Sequence, residues 1–155
     1  MMDVLFVDEQ DDPVEPEPPV DLARSVLIAE GLAPGTRVAI TVVDEVSMAA
    51  HNETATGREG PTDVLAFPLE DARPESPPQP GDDGPPVDLG DVVICPAVVR
   101  ANAASTGVRF EDEFALMVVH GVLHLLGYDH VEEAEAELME ARERTLLAAM
   151  GPVRP

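Results

Sequence analysis

FEDEFALMVVHGVLHLLGYDH, residues 110–130, is the stretch that decides how this chain folds. From Phe114 to Leu126 almost every side chain is apolar. A helix without a polar face belongs in the middle of a domain, so the pattern predicts a buried central helix over 110–126. Glu111, Asp112 and Glu113 fall in its first turn, where acid is favourable against the helix dipole. The polar exceptions further along are His120 and His124. Residues four apart lie one turn apart on the same face, so both imidazoles can turn toward one point. His130 comes six residues later, and a continuing helix would carry it about 600° round, off that face. Gly127, three residues after His124, is placed to end the helix in a left-handed conformation and reverse the chain. The reversal would bring His130 back beside the other two.

Three neutral imidazoles with an open fourth position make the catalytic form of a zinc site, in which the ion acidifies water. A lone histidine on an apolar helix is usually a satisfied core residue. Three unpaired ones would cost stability without return, so His120, His124 and His130 are read as ligands of one Zn2+ per chain. Cys95, the only cysteine, lies on a separate apolar strand and is read as a buried thiol; no four-ligand structural zinc site or disulfide framework is available. The spacing of the histidines and the glycine is similar to the metzincin protease pattern H-E-x-x-H-x-x-G-x-x-H, but Gly121 stands where the protease has its Glu general base. Peptide hydrolysis by that route is therefore disfavoured.

Around this helix the chain alternates strands and helices. Strands are predicted at Met2–Val7, Arg37–Val43, Pro61–Leu69 and Leu89–Cys95, from their β-branched runs. Pro68 puts the end of the third at a sheet edge or bulge. Helices are predicted at Val20–Gly31, at 44–52 with Asp44 as N-cap, at Pro96–Ser105, and at Val131–Met150, ended by Gly151-Pro152. The last helix would bury Val131, Ala134, Leu138, Ala141, Thr145 and Ala148, leaving Glu132, Glu133, Glu135, Glu137, Glu140 and Glu143 as a solvated face. Two segments dense in proline and acid, at about 8–20 and 70–88, read as surface loops with no structure of their own. The whole, residues 1–155, is one α/β (α+β) domain with a mixed sheet of about four strands packed with helices.

Composition narrows the function. The chain carries 31 acidic and 9 basic residues, a net charge of −22, and every basic residue is arginine. That argues against a protein that coats polyanions. Aromatics are 3 %, too few for a base-stacking platform. No apolar run is long enough to span a membrane and no signal peptide is evident, so a cytoplasmic location is expected.

The string HGVLHLLGYDH, with PTDVLAFPLE (61–70) and LGDVVICPAV (89–98) before it, resembles the bacterial YbeY family of metal-dependent endoribonucleases. The resemblance implies a single α/β domain whose zinc is held by His120, His124 and His130. It implies a single-strand-specific endoribonuclease that matures ribosomal RNA, including the 16S 3′ end, and serves ribosome quality control, with ribosomal RNA or the ribosome as partner. Members commonly carry an arginine in a stretch like N-x-x-Y-R-G ahead of T-D-V-L. Here the asparagine is Asn52, but Ala55 and Thr56 stand at the aromatic and arginine positions, and Ala66 replaces a common serine. Arg58, two residues on, is the candidate to serve instead as the cation that meets a phosphate. A zinc-stabilised, ribosome-associated binding factor with weak or no cleavage is the alternative reading.

Other residues carry two readings each. Asp129 either orients a ligand imidazole or shapes the turn and the next helix. Tyr128 either donates to a bound oxyanion or packs the turn. Asp63 either contacts substrate or water or holds a neighbouring loop, and His51 is read as a surface residue. An RNA enzyme at −22 needs its acid elsewhere than the cleft, which leaves Arg37, Arg58, Arg100 or Arg109 to make a local positive site.

Overall fold

The computed structural model describes residues 2–80 and 84–150. The chain forms β1 (Asp3–Glu9), α1 (Glu17–Ala29), β2 (Thr36–Val43), α2 (Glu45–Thr56), β3 (Val64–Pro68), β4 (Val87–Ile94), α3 (Pro96–Thr106), α4 (Phe110–Leu125) and α5 (Glu133–Met150). The strands make one mixed sheet in the order β1-β2-β4-β3. β1, β2 and β4 run parallel, and β3 pairs antiparallel with β4. β3 is an edge strand, so the missing N–H of Pro68, opposite Gly90, leaves no interior ladder bond unmade.

The core gathers around α4, which packs on α1, α3, α5, β3 and β4. Val118, Val119, Val122 and Leu123 are fully buried there, as an all-apolar helix requires. Val38, Ile40, Val42, Val92 and Ile94 meet this core from the sheet. A smaller cluster of Val43, Met48, Val93 and Cys95 forms a second core, and Cys95 is the buried thiol its apolar neighbours suggested.

Several boundaries differ from the sequence reading. α1 begins at Glu17, inside the segment read as a loop to residue 20, because Pro18 and Pro19 fall in its first turn, where backbone N–H groups have no helical partner to lose. α2 runs on to Thr56 and stops at Gly57; Asp44 caps it, its Oδ1 accepting the Ser47 N–H at 2.8 Å. Part of the 70–88 segment, read as lacking structure of its own, is tied down at residues 73–79. The Gln79 side chain accepts the Ala33 N–H at 3.1 Å and donates to the Gly31 carbonyl at 2.9 Å, holding the turn after α1, and Arg73 and Ser76 form a bridge.

The largest correction concerns α5. Val131 is 80 % exposed and Leu138 59 %, so the stripe through them faces solvent. The buried line is Met139, Glu143 and Leu146, spaced i, i+4, i+7. Glu143 thus leaves the solvated face to which the sequence reading had assigned it. The stop at Gly151-Pro152 lies outside the described residues. Among the described residues no helix is long and apolar enough to cross a membrane.

Candidate metal centre

α4 places His120 and His124 one turn apart, with ring centroids 4.6 Å from each other. The helix then closes with paired backbone bonds: Gly127 N–H to the His124 carbonyl and Tyr128 N–H to the Leu123 carbonyl, each 3.1 Å. That pairing needs a left-handed residue between them, and Gly127 supplies it at φ 98°. The turn is also crowded, since a Cβ on Gly127 would lie 2.3 Å from the Ala72 carbonyl oxygen. Past the reversal, the His130 ring comes within 4.8 Å of His124 and 5.5 Å of His120. One nitrogen from each of the three histidines lies within 4.8 Å of the others.

Burial, and then the charge that His120 or His130 would carry if protonated, pushes His124 down to about 4. Its lone pair is therefore open to an electrophile at neutral pH. Three clustered imidazoles, one of them held neutral, at the wall of an open cleft match the donor set of a catalytic zinc site; the residues fit such an ion.

Two features of the site lie outside the motif. Glu143 Oε2 is 2.5 Å from His120 Nδ1. Tyr128 donates its hydroxyl to Glu30 Oε1 at 2.7 Å, while Arg142 Nε and Nη2 donate to Glu30 Oε2 at 3.0 and 2.8 Å. The Tyr128 hydroxyl is thereby engaged in anchoring the turn. Its burial and the Glu30 carboxylate beside it raise the phenol to about 12. Asp129 accepts the His130 N–H at 2.7 Å and so shapes the turn. Sequence reasoning missed Glu30, Arg142 and Glu143. The i, i+4, i+7 line through Met139, Glu143 and Leu146 is one of two stripes that periodicity allows on α5, and docking chooses it.

The histidines open onto a cleft of about 530 Å³ that Asn52, Thr56, Arg58, Asp63 and Ala66 also line. Of Arg37, Arg58, Arg100 and Arg109, Arg58 lines this cleft. Arg37 pairs with Asp3 at 3.1 Å, Arg100 with Asp12 at 2.8 Å, and Arg109 with Glu111 at 3.7 Å; Arg100 also sits over the Phe110 ring. The Thr56 hydroxyl donates to Asn52 Oδ1 at 2.9 Å and accepts the Arg58 N–H at 3.2 Å. The Asn52 amide in turn donates to the Gly60 carbonyl at 2.9 Å, which fixes the loop carrying Arg58. Asp63 accepts the Val64 N–H at 2.8 Å and faces Asn102 Nδ2 at 3.5 Å. His51 is exposed, edge-on to Phe67, and stands apart from the histidine cluster.

Comparison with known proteins identifies the fold and the family. A protein determined in solution from Thermotoga maritima shares the fold, with a TM-score of 0.58 at 23 % identity over 96 % of this chain and 91 % of that one. An endoribonuclease YbeY of Methylococcus capsulatus is 49 % identical over 123 residues, covering 79 % of this chain and 75 % of its relative. That of Thermobifida fusca is 40 % identical over 147 residues, covering 95 % and 93 %. The family model described as endoribonuclease YbeY matches residues 6–151, nearly the whole fold described above; the chain belongs to the YbeY family.

Proposed function

We propose that this chain is a zinc-dependent, single-strand-specific endoribonuclease of the cytoplasm, with one Zn2+ on His120, His124 and His130. Its substrate is ribosomal RNA, alone or in the ribosome, and its roles are rRNA maturation, including the 16S 3′ end, and ribosome quality control. The observation that carries the reading is the convergence of three histidine nitrogens within 4.8 Å at a cleft, in a chain of the endoribonuclease YbeY family.

The chemistry a zinc ion supplies when bound is Lewis-acid polarisation of a phosphodiester oxygen and acidification of water. The chain's own groups do the rest. His124, neutral at working pH, keeps its lone pair available. Arg58 offers the cleft a guanidinium that can pair with a phosphate in two-pronged geometry. Thr56 holds the Arg58 loop through its backbone contact. The ion pairs of Arg37, Arg100 and Arg109 with nearby acids leave Arg58 as the cation best placed for RNA.

The test compares cleavage of single-stranded and duplex ribosomal RNA fragments by the purified protein and its His124→Ala variant. Cleavage of the single strand that vanishes in the variant supports the proposal; equal residual cleavage by both removes it. One observation favours the second reading, a zinc-stabilised ribosome-associated factor with weak cleavage: the side chain at the family's arginine position, Thr56, is spent on Asn52. Retained ribosome binding without metal-dependent cleavage would select that reading.

A further inference from the structure

Glu143 is 8 % exposed, on the face of α5 where Met139 and Leu146 are each 1 % exposed. A carboxylate in such a setting needs a hydrogen-bond donor, and His120 Nδ1, 2.5 Å away, is placed to be that donor when it carries the ring hydrogen. The contact joins α4 to α5 through two residues 23 apart in sequence. It also decides which nitrogen of His120 is free. A neutral imidazole has one N–H and one lone pair; with the hydrogen on Nδ1 facing Glu143, the lone pair is on Nε2.

We propose that Glu143 is a positioning residue of the metal centre: it holds His120 in the Nδ1–H tautomer and fixes its ring so that Nε2 is presented to the ion. The inference rests on the three-histidine centre proposed above. Carboxylates behind metal-bound histidines set ring orientation and raise ligand basicity in many proteins, and their loss typically costs 10–100-fold in metal affinity. Here the carboxylate comes from a different helix than the ligand. Docking of α5 and metal binding are therefore linked, each favouring the other.

The test uses the full chain with 15N-labelled histidine. Long-range proton–nitrogen spectra of the metal-free protein assign the tautomer of His120, and competition with a chromophoric chelator gives zinc affinity for the wild type, Glu143→Ala, Glu143→Gln and His124→Ala. The expected result is a single Nδ1–H tautomer in the wild type. Glu143→Ala should lose that single tautomer and bind zinc about 10–100-fold more weakly. Glu143→Gln, whose amide oxygen still accepts a hydrogen bond, should recover the tautomer and much of the affinity; the tautomer is the readout that helix packing alone would not set. A wild-type His120 in the Nε2–H form overturns the proposal without reference to any variant. So does zinc affinity that is unchanged in both Glu143 variants but lost in His124→Ala, an outcome that leaves the metal centre standing. If the wild type takes up no zinc, or His124→Ala binds it equally well, the three-histidine centre itself fails, and the role of Glu143 with it.

Discussion

Gly121 stands against Val92 with no space for another carbon: a Cβ built on Gly121 would lie 2.4 Å from Val92 Cγ1. α4 rests on β4 at this point, between the two histidines of the helix. The contact bears on the protease comparison, because a glutamate at residue 121 could not be added without moving helix from sheet.

The first prediction follows from that contact. Gly121→Ala should lower stability by about 1–3 kcal/mol, the usual cost of overpacking a close-packed core, despite alanine's better helix propensity. Val92→Ala in the same chain should recover part of the loss by making room. Urea unfolding of the two single variants and the double variant measures the coupling.

A second prediction concerns the cleft cation. Arg58→Ala should reduce RNA cleavage by about 10–100-fold, the kinetic size of a charged hydrogen bond worth ~1.5–3 kcal/mol. Zinc content and melting temperature should stay as they are, because Arg58 is exposed. Thr56→Arg added to that variant should restore activity. Unchanged cleavage in Arg58→Ala would show that the phosphate is met elsewhere.

The phenol of Tyr128 offers a clean optical test, since the chain has one tyrosine and no tryptophan. Ultraviolet titration should show tyrosinate forming with a midpoint of about 12, above the ordinary 10, because burial and Glu30 disfavour the anion. The folded value is raised, so the stabilisation is fully present below the unfolded value near 10. It is lost as pH rises toward 12. Glu30→Gln should move the midpoint back toward 10; a midpoint that stays put would mean the Glu30 contact is absent in solution.

Removing the metal should lower thermal stability, because the ion binds the folded chain only. Zinc at about 100 times its Kd contributes ~2.7 kcal/mol, roughly 5–10 °C for a domain of this size. Chelation should lose that increment in the wild type and change little in His130→Ala. A His130→Ala protein that keeps one zinc per chain would mean the Gly127 turn does not deliver that ligand.

What was legible in the sequence is what local spacing determines. The buried helix Phe110–Leu125 follows from its unbroken apolar pattern, and its stop follows from Gly127, the residue type a left-handed closure needs. Pro68 limits the end of β3 to a sheet edge or a bulge, and the strand lies at the edge. The role of Glu143 could not, because it depends on how α5 docks. Periodicity alone allowed two stripes on that helix, one through Leu138 and one through Met139 and Leu146. Only packing against α4 and α1 chooses between them. Glu30 escaped for the same reason: its partners, Tyr128 and Arg142, are 98 and 112 residues away.

The order of elements also sets a schedule for synthesis. Every strand of the sheet precedes α4 in the chain, so a growing polypeptide can pair β1, β2, β4 and β3 while the helix that fills their core is still unmade. The three histidines then emerge within eleven residues of one another, and His120 meets Glu143 only after most of α5 has followed. A chain translated at ~5–20 residues per second passes from His120 to Glu143 in about one to five seconds. Until it does, nascent protein has its three histidines without the carboxylate behind them, and a chain released early enough to lack α5 stays in that state.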